Sequence, residues 1–435
     1  MLQRLKRSVW LAFGSTSGAR CHSTGAAHAQ LLREYIHDRL YSSSEGYFNL
    51  AALPVGVLAE PIAFNRLGSQ QDYQRHVGQL YGQLQGHWLT PSETFRPYYG
   101  HAVARYMVAQ RAPSTSDDPL NIFEVGGGSG RLAADILDYL RTHHPSLYEK
   151  TRYTCIEISP GLARVQRHVV EVGAGHGAPQ FRSVEGDASK RSTWPRRTLQ
   201  RCWVVAMEVL DNLPHDRVLE YGSGQWQMTV VEPGKHATLK VPSQGMRPLD
   251  DRLVEDCLAV WQDQQASLAS SFAQRLRSLL SNKGPWLRGG DVFLPTGSLQ
   301  LLETLCDAVP YHNLILADFD ELPDVTIPGT SAPLVASKMV GGQTQDHPHY
   351  LLPPNIKADI LFPTDFELLS RLHRNAARRV LGHNFAVCGQ HHRSSVFFRQ
   401  HADTAATRCQ DGYNPLLDDF SNTAIYLASV TGTVQ

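Results

Sequence analysis

The stretch that most constrains how this chain can fold is Leu120–Arg131, LNIFEVGGGSGR. It reads as a short apolar strand with an acid near its end, then a glycine-rich turn, then a helix start. The helix continues as LAADILDYLRTHH, with Leu132, Ile136, Leu137 and Leu140 on one face at helical spacing. Gly126, Gly128 and Gly130 let the backbone turn sharply and let a ligand press against bare peptide. The helix behind them offers unpaired N–H groups at its start. Strand, glycine turn and helix in that order open a nucleotide-cofactor α/β domain. Three glycines kept only for packing would look the same in this stretch alone.

The spacing narrows the cofactor. A dinucleotide fingerprint needs G-x-G-x-x-G, and its last glycine would fall on Arg131. The chain instead carries G-x-G-x-G preceded by Glu124, the loop pattern of enzymes that use S-adenosylmethionine (SAM). SAM has no phosphate. Its sulfonium and α-amino group are cationic, so a nearby carboxylate such as Glu124 helps.

Further acids follow in order. Tyr153–Ile158 reads as a strand with Glu157 near its carboxyl end, where open α/β sheets bind ligands. A carboxylate there can accept hydrogen bonds from both ribose hydroxyls. Ser159 is placed to cap the next helix, with Pro160 in its first turn. FRSVEGDAS ends a strand at Asp187, within reach of an adenine edge. Trp203–Met207 is a buried strand followed by Glu208 and Asp211. Asp318 and Asp365 read as structural acids, and Tyr98 and Tyr99 either line an acceptor channel or belong to the core.

The remaining chain divides as follows: 1–30 presequence, 31–119 helical region, 120–214 first part of the α/β core, 215–290 inserted cap, 291–402 second part of the core, 403–435 tail. Thr90, Pro91 and Glu93 predict an N-cap and capping box opening one long helix over TPSETFRPYYGHAVARYMVAQ. APSTSDDP reads as a linker. Arg217–Glu232 reads as a hairpin, DDRLVEDCLAVWQDQQASLASSFAQRLRSLL as helical, and the insertion as a cap on the cofactor edge. NFAVCG and SSVFFRQ predict a closing strand pair, while the tail shows no clear period.

Lys plus Arg (41) equals Asp plus Glu (41), which argues against a general nucleic-acid-binding surface. Seven cysteines with no C-x-x-C, several in apolar runs, read as buried free thiols in a reducing compartment. The 20 histidines are scattered, without metal-ligand spacing, and predict no joint role and no metal. No apolar run is long enough to span a membrane. Met1–Arg33 is basic, rich in Ser and Thr, and free of acids, with Trp10, Leu11 and Phe13 as its apolar part. That is the composition of a mitochondrial presequence and predicts the mitochondrial matrix.

These residues together resemble the MidA family of SAM-dependent methyltransferases over most of the chain. EVGGGSG resembles the family's glycine loop, which more usually has Pro where Gly127 stands. IEISPGLARVQ, MEVLDNLPHDRV, LILADF and DILFPTDFELL resemble four further family segments, with Met207 in place of Asn, Asn212 in place of Ala, and Asp365-Phe366 kept. The family's G-D-F-x-T-S-P-E segment is replaced by HWLTPSETF. That form and YNPLLDDFSNT point to a divergent eukaryotic branch.

The resemblance implies a class I SAM-methyltransferase (Rossmann-like) α/β sheet with a helical N-terminal region and an inserted cap. It implies cofactor contacts at Glu124, Gly126, Gly128, Gly130, Glu157 and Asp187. The family's mitochondrial branch implies symmetric protein arginine N-methylation in respiratory complex assembly, with a mitochondrial protein substrate such as a complex I subunit. A guanidinium acceptor needs carboxylates to hold it and to take up its proton; Glu208 and Asp211 are the candidates. The alternatives are a weak or inactive methyltransferase-fold assembly factor, or a methyltransferase on another acceptor.

Overall fold

The computed structural model describes residues 29–50, 55–84, 88–111, 118–222, 224–234, 241–270, 290–338 and 343–433. The expected presequence apart from its last two residues, linker residues 112–117 and the helical stretch after residue 270 lie outside these.

Seven strands build the central sheet: β1 (Asn121–Val125), β2 (Arg152–Glu157), β3 (Phe181–Glu185), β4 (Cys202–Met207), β5 (His312–Phe319), β6 (Phe385–Arg393) and β7 (Thr423–Gly432). Their order is β6-β7-β5-β4-β1-β2-β3. The run from β5 to β3 is parallel, whereas β7 is antiparallel to both β5 and β6. Strands of a parallel sheet are covered on both faces, so they read as continuous apolar runs such as CWVVAM. Alternate residues feed two cores. Phe123, Val204 and Leu316 join one with the helices Thr296–Ala308 and Phe366–Leu381; Ile122, Val205 and Ile315 join the other with Tyr98–Ala109 and Arg131–His143. The chain order reverses between β1 and β4, and the carboxyl ends there open a crevice.

A second, antiparallel sheet comprises Gln30–Leu31, Asp216–Tyr221, Gln225–Glu232, Ser243–Pro248 and Asp291–Leu294. Asp291–Leu294 pairs with Asp216–Tyr221, so the inserted sheet runs past residue 290. A three-stranded sheet of Leu334–Lys338, Thr344–Asp346 and Asp359–Leu361 lies beside it. A third core of Leu32, Ile36, Leu40, Phe293, Ile360 and Phe362 joins these to the helix Leu32–Tyr41.

Several expectations are corrected. SSVFFRQ lies in the helix Ser394–His401. Adjacent Phe397 and Phe398 are both buried, which a helix achieves on one side and a half-exposed strand does not. NFAVCG does form the edge strand β6, and its partner is the tail segment β7. The latter lies between β5 and β6 and is buried on both faces, so it has no period of two to read. The single helix expected after Thr90 is two, Pro91–Thr94 and Tyr98–Ala109, because Pro97 interrupts it. Thr90 does cap, accepting from Glu93 N at 3.4 Å. Glu93 does not complete the box, since its carboxylate is bonded elsewhere.

The cysteines expected to be buried thiols are so at 155, 202, 257, 306 and 409; Cys388 is exposed, and Cys21 lies outside the described residues. Two histidines do act together. His312 Nε2 lies 3.0 Å from His373 Nε2, and the outer ring nitrogens reach Val309 O at 2.7 Å and the Tyr426 hydroxyl at 3.2 Å. Burial holds both imidazoles neutral, with His312 down at about 4. They form a buried relay between helix and sheet, with Cys306 beside it.

Candidate functional site

A cavity of about 920 Å³ opens over the carboxyl ends of β1–β4, at the upper end of what small-molecule sites occupy. Its floor is Val125, Gly126, Gly128, Glu157, Asp187 and Glu208. Its roof is the helix Leu32–Tyr41, through Arg33, His37 and Tyr41, with Trp88 and Thr90 at one side and Asp359 at another. The roof is held by long-range contacts. Arg33 Nη1 donates to Asp216 at 2.7 Å, Arg33 Nη2 donates to Asp251 at 2.7 Å, and the Tyr41 hydroxyl donates to Asn212 O at 3.0 Å. The insertion's long helix contributes Leu253 to the lining; most of the cap is therefore N-terminal chain.

The three glycines differ in role. Gly126 and Gly128 line the cavity. A Cβ on Gly128 (φ +51°) would meet Val55 Cγ1 at 3.9 Å and otherwise point into open space. Gly130 (φ +82°) faces the helix Pro160–Arg167 instead, where a Cβ would lie 2.9 Å from Gln166 Cα. It is the packing glycine of the turn. Glu124 also lies away from the cavity. It sits beneath the turn, accepting from Tyr153 Oη at 3.0 Å and Cys155 Sγ at 3.2 Å, and burial lifts it to about 7. From there it supports the turn from outside the cavity lining.

Glu157 does face the cavity and is 3% exposed. Its carboxylate accepts from Ser159 N at 3.0 Å and Gln166 Nε2 at 2.8 Å. Those bonds, with a further one from the Gly128 backbone N–H, fix its direction and leave room for one more donor. Burial raises it to about 7, and the bonds from Ser159 and Gln166 oppose that rise. Asp187 accepts from Ser189 N at 2.9 Å and Ser189 Oγ at 2.6 Å, with His37 Nε2 at 3.4 Å.

Glu208 and Asp211 follow β4. Glu208 has φ +53°, a conformation uncommon for a residue with a side chain, and it lines the cavity. Burial lifts it to about 8, with Asp318 adding to the rise. Asp211 is raised well above the carboxylate range by burial and then by Asp318, Asp359 and Glu208, and its Oδ1 has no partner among the described residues. Asp318 is structural: it accepts from Val209 N and Asp211 N, both at 3.1 Å, and from Phe319 N at 2.7 Å. Asp359 accepts from Asn212 Nδ2 at 2.7 Å. Asp365 caps a helix through Leu368 N at 2.9 Å. Among the described residues no Lys, Arg or His forms an ion pair with this acid cluster. Tyr98 and Tyr99 line no part of the cavity; Tyr99 packs in the core against Phe398.

Sequence reasoning missed His37, Tyr41 and Asp359. Asp359 had a signal, as the first acid of DILFPTDFELL. The helix Leu32–Tyr41 had none, because nothing local shows that a helix will roof strands so far along the chain.

A family model described as "Putative S-adenosyl-L-methionine-dependent methyltransferase" matches residues 102–384. The chain is 24% identical over 324 residues to the Schizosaccharomyces pombe mitochondrial protein arginine methyltransferase NDUFAF7 homolog, covering 70% of this chain and 66% of that one. It thus spans just under two thirds of that relative's length. In structure it is similar to a Burkholderia thailandensis protein bound to S-adenosyl-homocysteine, with a TM-score of 0.56 at 16% identity, covering 92% of this chain and 88% of that one. A native crystal structure of an uncharacterized protein from the same organism gives 0.53 at 15% identity, covering 94% and 88%. These likenesses establish the fold. No described helix is long and apolar enough to cross a membrane.

Proposed function

The chain belongs to this family of SAM-dependent methyltransferases, and on that premise we propose that it methylates arginine on a mitochondrial protein. The observation that carries the acceptor is the unpaired acid cluster. Glu208, Asp211 and Asp359 line the cavity with Asp318 behind them, and burial opposes their ionisation. A buried charge is tolerated when a partner compensates it. A guanidinium is planar, cationic and a multiple donor, and is the side chain best matched to two carboxylates. The mitochondrial, symmetric and complex I parts of the proposal draw support from the family resemblance, the mitochondrial fission-yeast relative and the basic, acid-free stretch Met1–Arg33.

The residues present fit SAM. Gly128 offers bare backbone beside open space, Gly126 lines the cavity with Val209 close against it, Glu157 has acceptor capacity for a ribose hydroxyl, and Asp187 stands at the end of the next strand for the adenine edge. When bound, SAM supplies an electrophilic methyl group on a sulfonium. Glu208 and Asp211 hold the acceptor guanidinium so that one nitrogen faces that methyl carbon, which is chiefly catalysis by alignment. With SAM bound, methyl transfer would form the N–C bond as the C–S bond breaks, and the methylated nitrogen would shed a proton. Glu208, lifted to about 8 in the free protein and so protonated near neutral pH, would release its proton as the cationic guanidinium docks, and the carboxylate so formed would take up the proton that the nitrogen sheds. Val125, Val209 and Leu162 exclude water from the path.

The test is label transfer. Purified protein is given radiolabelled SAM and mitochondrial extract, and the labelled protein is hydrolysed to amino acids. The proposal expects symmetric dimethylarginine. Label on lysine, or label removed by RNase rather than protease, overturns it.

A further inference from the structure

We propose that Glu93 is a positioning residue for the cofactor turn, holding Gly128 and the wall opposite it at the spacing that admits SAM. The proposal rests on the reading of the cavity as the SAM site.

Glu93 lies on the short helix Pro91–Thr94, well outside the glycine turn in sequence, and is fully buried. Its two oxygens are divided between two pieces of chain. Oε2 accepts from Ser129 Oγ at 3.1 Å, inside the GGGSG turn. Oε1 accepts from Leu58 N at 2.8 Å. The Leu58 segment carries Val55, whose Cγ1 is the atom nearest the space in front of Gly128. Val55 is bridged to Trp88, and Gly56 N donates to Trp88 O at 2.8 Å. One carboxylate therefore ties together both sides of the slot between Gly128 and Val55, from beneath.

The neighbours argue for a carboxylate here. Arg96 Nη1 lies 3.7 Å from Oε1 and Arg131 Nε lies 3.9 Å from Oε2. Ser129 Oγ, besides donating to Glu93, accepts from Arg131 N at 3.4 Å and so caps the first turn of the following helix. Glu93 thus fixes the hydroxyl that organises the helix start behind the glycines. This gives the altered HWLTPSETF segment a definite task, as the floor of the cofactor slot.

The test uses the full chain, calorimetric titration with SAM, and steady-state methyl transfer. Ser129→Ala cuts the link to the turn while leaving Glu93 its Leu58 bond and both arginines. It is expected to weaken SAM affinity about tenfold, the scale of a lost hydrogen bond to a charged group. The rate at saturating SAM should stay within about threefold, since Ser129 is remote from the acid cluster. Glu93→Gln can keep both bonds, because the Ser129 hydroxyl reverses from donor to acceptor; it should bind SAM more tightly than Ser129→Ala, short of wild type because Arg96 and Arg131 lose the charge they face. Glu93→Ala removes both bonds and should bind SAM more weakly than Ser129→Ala. Wild-type affinity in Ser129→Ala overturns the proposal, as does a Glu93→Gln protein that binds no better than Ser129→Ala. If the wild-type protein itself binds no SAM, the reading of the cavity has failed instead.

Discussion

Two neighbouring glycines should fail in opposite ways when replaced by alanine. Gly128 and Gly130 both have positive φ, +51° and +82°, which costs a residue with a Cβ about 1–2 kcal/mol. At Gly128 that is nearly the whole stability cost, because the new methyl meets just Val55 Cγ1 at 3.9 Å. At Gly130 the methyl lies 2.9 Å from the backbone of Gln166 and 3.2 Å from Val170 Cγ2, so the helix must shift. Overpacking of that kind adds about 1–3 kcal/mol, giving roughly 2–5 kcal/mol in all. Binding should rank the other way. The Gly128→Ala methyl fills space that the cofactor needs, and a tenfold or larger loss of SAM affinity, about 1.4 kcal/mol, is expected. Folded Gly130→Ala protein should lose less. Urea unfolding gives the first quantity and calorimetric SAM titration the second. Equal destabilisation of the two variants, or wild-type SAM affinity in Gly128→Ala, would refute the division of the turn into a ligand glycine and a packing glycine.

Three further outcomes follow from the same geometry. Glu157→Ala should weaken SAM binding at least tenfold in a calorimetric titration, the scale of losing hydrogen bonds to a charged acceptor. Asp318→Ala strips a buried acceptor from Val209 N, Asp211 N and Phe319 N; at about 1–3 kcal/mol for a buried group left unsatisfied, thermal melting should show a clear drop, and methyl transfer should fall because Glu208 and Asp211 lose their support. The acids raised by burial (Glu157, Asp318 and Asp359 to about 7, Glu208 to about 8) hold protons more tightly folded than unfolded. Between the ordinary glutamate value of 4.5 and about 8 the native state carries more protons, so stability of the ligand-free protein should fall as pH rises through that window. Urea midpoints across that range check it, and Glu208→Gln should flatten the upper part of the slope.

What the sequence showed of this site was what parallel-sheet geometry places by rule. Glycines after β1, an acid as the last residue of β2, and acids after β3 and β4 lie at carboxyl strand ends, and each strand is short, apolar and separately legible. Glu157, Asp187, Glu208 and Asp211 accordingly meet in one cavity. Glu124 shows the limit of that reading. It lies inside the strand rather than beyond its end, and strand alternation turns it toward Tyr153 and Cys155. The other gaps are long-range pairings. Arg33 finds Asp216 across 183 residues and His312 finds His373 across 61, and no local period encodes either. Glu93 chose partners at Leu58 and Ser129 over the capping box that its own spacing favoured. A central strand such as β7, buried on both faces, carries no alternation by which to recognise it.

The most direct test of the account is methyl transfer to an arginine-bearing mitochondrial acceptor by Asp211→Asn, measured beside its SAM affinity. The carboxylate to be removed has an unpartnered oxygen and makes no contact that holds the glycine turn. The account predicts SAM affinity within about threefold of wild type and a loss of transfer on the order of 100-fold, as for removal of a group that orients the acceptor. Transfer to arginine at the wild-type rate, with SAM bound normally, would contradict it.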